Sequence, residues 1–359
     1  MLHALIMAGG GGTRFWPRSR ARKPKQFLTL SGESTLLQQT VERIESVTAA
    51  DNTWIITAAA HQQECGRQLP QLPATNIIGE PCGRDTAPCI AVGAALIARR
   101  DPEAVMLVMP ADHVIEPAQE FRRTAHVASQ MAIENPHALV TLGITPNYPA
   151  TGYGYIHRGA EHAVRQGLAV FRVRSFREKP SFDVAQAFLA SGEYYWNSGI
   201  FVWRAATILQ AIKENQPSLY DGAQRIARAW GSPQREQVMQ TEYPGLTKIS
   251  IDFAVMEKAK EVLVVHAPYR WDDVGSWLAL ERLNPQDEDR NTLLAPHVGI
   301  RTRNCVIVGD PGRLIATIGV ENLLIIQDGD ALLVADRRDE GAVKDLVNEL
   351  RARGLEAYL

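Results

Sequence analysis

Short apolar runs, too brief for helices, recur along the first 150 residues with helix-period segments between them. Residues 2–8, 53–57, 105–109 and 139–144 read as buried strands, and 34–47 and 87–99 as helices. Parallel neighbours need crossover connections, and helices of this length supply them. The expectation is therefore an α/β fold, a Rossmann-like and mostly parallel mixed sheet. Ligands in such sheets bind beyond the carboxyl ends of the strands. Two chemically dense stretches fall there: GGGGTR after the first strand and PADH after the strand at 105–109.

Composition narrows the partners. The chain has 359 residues, 45% hydrophobic and 22% charged, with 38 Lys and Arg against 40 Asp and Glu. A net charge of −2 offers no bulk field for nucleic acid or a membrane surface, so an anion site must be local. Cys65, Cys82, Cys89 and Cys305 form no C-x-x-C pair, which suits reduced thiols in a cytoplasm. The longest apolar run, around 87–98, falls short of the ~20 residues of a membrane helix, and no signal peptide is visible.

From residue 151 the texture changes. TGYGYI, VRSFREKP and YYWNSGIFVW are rich in glycine and aromatic residues and read as an insertion over the carboxyl edge of the sheet. Helical patterns follow at 205–214 and 221–230, then a strand at 261–267 running into WDDVGSW. The polar turn NPQDEDR suggests a boundary, giving a domain at 1–285 and a C-terminal segment at 286–359. That segment carries closely spaced short strands, reminiscent of a partial left-handed β-helix without a clean hexapeptide repeat. It ends in a closing helix built on Val343, Leu346, Val347 and Leu350, with Asp339 as its expected cap and Gly354 as its stop.

Gly9, Gly10, Gly11 and Gly12 let backbone N–H groups approach a phosphate chain. A P-loop is excluded because no Lys-Ser/Thr follows at the required spacing. A dinucleotide fingerprint is excluded because its third glycine would fall on Phe15. Thr13 and Arg14 follow, with Arg18, Arg20, Arg22, Lys23 and Lys25 behind them, a cluster suited to polyphosphate although most of it is expected to be solvated.

MAGGGGTRFWPRSRARKPKQFL resembles the signature of the sugar-nucleotide pyrophosphorylases, and its WP…PKQF form is similar to the mannose-1-phosphate guanylyltransferases. GEPCGRDTAP, MPADH, TGYGYI, FREKP, WNSGIF and WDDVGSW match the same family in order, over about residues 2–280. The resemblance implies a nucleotide-diphospho-sugar transferase fold. It also implies transfer of GMP from GTP to mannose 1-phosphate, giving GDP-mannose and pyrophosphate. Its metal is Mg²⁺, with Asp112 and Asp273 as ligands and Asp272 as the neighbour that could be mistaken for one. Read without the resemblance, Asp112 is equally a turn residue or a helix cap.

Arg14 and Lys25 are the implied phosphate cations. Glu80, Pro81, Arg84 and Thr86 stand where the family contacts the base, and a carboxylate at Glu80 would accept the guanine N1–H and N2–H. Its plain alternative is a solvent-facing strand end. Gly154, Glu178, Lys179 and Asn197 are the implied residues for the sugar phosphate, with Trp196 and Trp203 expected in the core. Asp85 departs from the usual asparagine. The C-terminal segment, with its apolar strands, is the expected place for pairing into a homodimer. Bifunctional relatives carry an isomerase domain, and the roughly 70 residues after Arg290 are expected to be too few for one. Two other readings share the fold: the same chemistry on another sugar or base, and a non-catalytic nucleotide-sugar sensor.

Overall fold

The structure, a computed structural model, describes residues 1–30 and 32–359. The chain divides into two compact units. One comprises Met1–Gly9, Val41–Ala111 and Ile115–Trp271; the other comprises Gly10–Thr40, Asp112–Val114 and Asp272–Leu359.

The first unit is built on a nine-stranded sheet. Its strands are β1 (Leu2–Ala8), β2 (Thr53–Ala58), β3 (Ile77–Glu80), β4 (Val105–Pro110), β5 (Leu139–Ile144), β6 (Tyr155–Arg165), β7 (Leu168–Arg177), β8 (Tyr194–Arg204) and β9 (Val262–Ala267). Their order is β3-β2-β1-β4-β8-β5-β9-β7-β6. The pairs among β3, β2, β1 and β4 and the β5–β9 pair are parallel. β8 runs antiparallel between β4 and β5, and β7 antiparallel between β9 and β6. Helices Thr86–Arg100, Ala205–Asn215 and Pro217–Ala229 bury Ile90, Ile97, Ile208 and Ile226 with Leu5, Met106 and Trp203 of the sheet in one apolar core.

TGYGYI, VRSFREKP and YYWNSGIFVW do not form a layer over the edge of the sheet. They enter it, and β8 lies in its centre. The reason is burial on both faces: Ile200, Phe201, Val202 and Trp203 are all 1% exposed or less, as a strand between two others requires. The four-residue β3 escaped the reading because it is too short to show a period.

The second unit holds a small β-helix. β10 (Thr292–Leu294), β12 (Val306–Val308) and β14 (Leu323–Asp328) form one parallel ladder, and β11 (His297–Ile300) pairs parallel with β13 (Ile315–Ile318). β15 (Ala331–Asp336) closes the first ladder antiparallel. The core joins Val306, Val308, Leu324 and Ile326 to Val343 and Val347 of the closing helix Val343–Ala352 and to Phe15, Trp16 and Trp277. Asp339 is not its cap: the N-cap position falls on Ala342, which makes no side-chain cap bond, and Asp336 caps the preceding 3-10 helix Arg337–Ala342 by accepting from Arg338 N. Gly354 does stop the chain's helical course, at φ 71°. The helix Leu36–Ile44 starts later than its pattern suggested because Thr35 and Gln38 form a reciprocal capping box.

Candidate active site

In the second unit the glycine segment closes onto Lys25. Gly12 sits in the left-handed region at φ 53°, ψ 23°. A Cβ there would come within 2.6 Å of the Lys25 Cβ and 2.7 Å of its N, so only glycine permits the approach. Lys25 is 7% exposed, and its ammonium donates to Asp112 Oδ2 at 2.8 Å and to the Asp273 carbonyl at 2.5 Å. Three segments far apart in sequence therefore meet around one cavity of about 290 Å³, whose lining includes Gly12, Arg14, Lys25, Asp112, His113 and Asp273. Burial by itself would raise the Asp112 carboxyl, but the Lys25 ammonium outweighs it and, with His113, holds the group below the ordinary carboxylate range.

Asp273 and Asp272 part company. Both carboxylate oxygens of Asp273 lie 3.2–3.3 Å from where a Gly275 Cβ would stand, and Arg14 Nη1 lies 3.6 Å from the same point. Gly275 leaves that space free and accepts from Arg14 through its carbonyl at 3.1 Å. Asp272 is 5% exposed and is gripped by Arg282 at 2.6 and 3.0 Å. It also accepts from Val274 N at 2.8 Å, which holds Val274, a β-branched residue, at φ 47°. Such a backbone typically costs ~1–3 kcal/mol and persists only where its surroundings impose it. Asp272 is the brace of this turn, and Asp273 faces the cavity.

The basic cluster behind the glycines also separates. Arg14, Arg22 and Lys23 are exposed. Arg18 donates to the Gly309 carbonyl at 2.9 Å, and Arg20 donates to Asp330 Oδ1 at 2.5 Å, both on the β-helix. Trp16 Nε1 donates to the Tyr358 carbonyl at 2.8 Å and Trp277 Nε1 to the Trp16 carbonyl at 3.1 Å. These bonds seat the signature segment on the C-terminal part of its own unit.

In the first unit Glu80, at the end of β3, is 7% exposed rather than solvent-facing. Its Oε1 accepts from the Tyr243 hydroxyl at 2.5 Å, while Oε2 lies 3.8 Å from where a Cβ on the exposed Gly9 would stand. Burial raises the Glu80 carboxyl, and donors from Tyr243 and Cys89 partly oppose it. Arg84 donates to the Pro244 carbonyl, Thr86 Oγ1 accepts from Ile251 N at 2.8 Å, and Ala87 N donates to Ile249 O at 3.1 Å. The segment GEPCGRDTAP is thus stitched to 243–251, while Pro81 stands half-buried just after Glu80. Asp85 caps the helix Thr86–Arg100 by accepting from Thr86 N at φ 67°, a task and a conformation asparagine shares.

Gly154, Glu178 and Asn197 come together. A Cβ on Gly154 would collide with Glu178 Oε2 and lie 3.3 Å from the Asn197 Cβ. Asn197 N donates to Gly154 O at 2.8 Å, and its Nδ2 donates to Asp252 Oδ1 at 2.7 Å. Burial, reinforced by the charge of Glu178, raises the Asp252 carboxyl to about 6. Lys179 adopts φ 44°, is 65% exposed along its side chain, and stands 3.4 Å from Glu178 Oε1. Trp196 and Trp203 are buried, as expected. Tyr243 and Asp252 were not singled out from the sequence. Tyr243 carried no spacing signal, and the one hint of Asp252 was an acid set among Ile251, Phe253, Ala254 and Val255.

No helix of the described residues is long and apolar enough to cross a membrane, and among them no three His, Cys, Asp or Glu cluster as a metal cage. A family profile described as "Nucleotidyl transferase" matches residues 3–290, and one described as "MannoseP isomerase/GMP-like beta-helix domain" matches 295–350. A mannose-1-phosphate guanylyltransferase of Escherichia coli K12 is 39% identical, over 98% of this chain and 74% of that protein. One of Klebsiella pneumoniae is 40% identical, over 100% of this chain and 76% of that protein. Among solved structures, one described as a mannose-1-phosphate geranyltransferase of Thermus thermophilus is 36% identical with a TM-score of 0.87, covering 98% of this chain and 99% of that one.

Proposed function

Because this chain belongs to the nucleotidyl transferase family, among the mannose-1-phosphate guanylyltransferases, we propose that it transfers GMP from GTP to mannose 1-phosphate, releasing pyrophosphate. The observation that carries the reading is the Lys25 ammonium, which ties the glycine segment to Asp112 and Asp273 in one cavity.

Transfer of this kind needs positioning and charge stabilisation more than covalent help. In this reading Gly9, Gly10, Gly11, Gly12 and Thr13 present backbone to the triphosphate. Arg14 grips the leaving pyrophosphate. Lys25 neutralises charge as the sugar phosphate oxygen attacks the α-phosphorus in line. Glu80, with Pro81, Arg84 and Thr86, selects guanine. Gly154, Glu178 and Asn197 receive the sugar, and Lys179 meets its phosphate.

The donors fit Mg²⁺: two carboxylates on one cavity, one of them kept ionised, are the hard oxygen ligands it takes alongside water and phosphate. Asp112 and Asp273 would hold it, and when bound it supplies charge neutralisation at the α-phosphate. Exposed apolar residues of the β-helix, among them Val298, Ile300 and Ile318, support pairing into a homodimer, which light scattering would measure. The free thiols of all four cysteines are consistent with a cytoplasmic protein.

Pyrophosphate release from GTP, ATP and UTP, each with mannose 1-phosphate and with glucose 1-phosphate, tests the reading. The fastest release should come from GTP with mannose 1-phosphate. Preference for another pair, or no release from any, contradicts it.

A further inference from the structure

We propose that Tyr243 is a positioning residue for selection of the base, its phenol holding the Glu80 carboxylate with Oε2 turned toward Gly9. The inference rests on the reading of Glu80 as the group that meets guanine.

The geometry is specific. Tyr243 is 0% exposed, and its hydroxyl donates to Glu80 Oε1 at 2.5 Å. The turn that carries it, Tyr243–Gly245, is gripped by Arg84 through the Pro244 carbonyl. Arg84 and Glu80 belong to the same short segment, so that segment both offers the carboxylate and fastens the residue that orients it. Oε1 is taken by the Tyr243 hydroxyl. The other lies beside Gly9, which is exposed and lacks a side chain to cover it.

Orientation matters because the two bases ask for opposite chemistry. An ionised carboxylate only accepts, which suits the N1–H and N2–H donors of guanine. A protonated carboxyl offers one donor and one acceptor, which suits the N1 and N6 edge of adenine. Burial pushes Glu80 toward the protonated form. The titratable groups facing it are Tyr243, from its turn, and Cys89, from the helix Thr86–Arg100; Cys82 faces Tyr243 in turn. Both donors to Glu80 favour the ionised form, so Tyr243 sets its charge as well as its direction.

The test is the GTP/ATP ratio of kcat/KM followed from pH 5 to 9 in the wild-type, Glu80→Gln, Tyr243→Phe and double-variant proteins. Glu80→Gln should lower the ratio about tenfold or more and flatten its pH profile. Tyr243→Phe, which keeps the ring, should lower the ratio at neutral pH and move the midpoint of the profile up by about one pH unit. The KM for mannose 1-phosphate should be unchanged. In the Glu80→Gln background Tyr243→Phe should have no further effect on the profile. If Glu80→Gln leaves the ratio intact, the reading of Glu80 itself falls. If Glu80→Gln lowers the ratio but Tyr243→Phe leaves the midpoint in place, only the inference falls. Cys89→Ala repeats the test should Tyr243→Phe not fold: it removes the other donor and should move the midpoint the same way, and an unmoved midpoint overturns the proposal.

Discussion

The Lys25 cavity of the second unit and the surroundings of Glu80 and Asn197 in the first are built on different principles. In the cavity, opposite charges meet directly where Lys25 sits on Asp112, and Arg14 is held on the Gly275 carbonyl. At the other two stations the working group is held by a further residue, Tyr243 behind Glu80 and Asp252 behind Asn197. Polyanion chemistry can rely on strong, short-range charge. Discrimination between bases or between hydroxyls depends on which lone pair points outward, and that needs a brace. Loss of a group from the cavity should therefore depress the rate, and loss of a group or its brace from the stations should change selectivity.

The largest expected effect is on Lys25. Lys25→Gln should reduce kcat on the order of 10²–10³ with both substrates saturating, because it removes the cation that joins three segments. A loss confined to KM would place Lys25 with binding and blur the contrast. Lys179→Gln should raise the KM for mannose 1-phosphate about tenfold while the KM for GTP stays put. Equal losses for both substrates would mean general damage.

Asp272→Asn sharpens the contrast within one turn. Asp272 binds Arg282 and Val274, so its loss should cost about 1–3 kcal/mol in urea unfolding while kcat falls much less than for Asp273→Asn. A normal stability with an abolished kcat would reverse the two assignments.

The smallest effect concerns Asp252. Its carboxyl is raised to about 6 from an unfolded value of 3.8, so the folded state binds more protons between those values and loses stability as pH rises through them. Asp252→Asn should therefore raise Tm at pH 7, and the gain should vanish as pH falls toward 3.8. An equal gain at both pH values would exclude the titration as its source.

The sequence reading reached some of this and missed the rest for identifiable reasons. The strands at 2–8, 105–109 and 139–144 were legible because nearly every residue in them is apolar. The glycines and Asp112 stood out because their residue types are chemically unusual after strands, and Lys25 and Asp273 through the resemblance of their motifs to the family signature. β8 was misplaced because its aromatic and glycine content imitates surface turns, although its neighbours bury it on both faces. Tyr243 and Asp252 were invisible: a brace is defined by what it touches across 163 and 55 residues of chain. Arg18 and Arg20 looked like part of a phosphate cluster because their partners on the β-helix lie some 300 residues away.

The central claim is that Lys25, Asp112 and Asp273 work as one catalytic unit. Steady-state kcat for Asp112→Asn, Asp273→Asn and the double variant, each checked for an unchanged Tm, tests it most directly. Each single change should lower kcat on the order of 10²–10³ and raise the Mg²⁺ requirement, and the double variant should be little worse than either, since groups acting together are not additive. Losses that multiply in the double variant, or a near wild-type kcat in either single one, would contradict it.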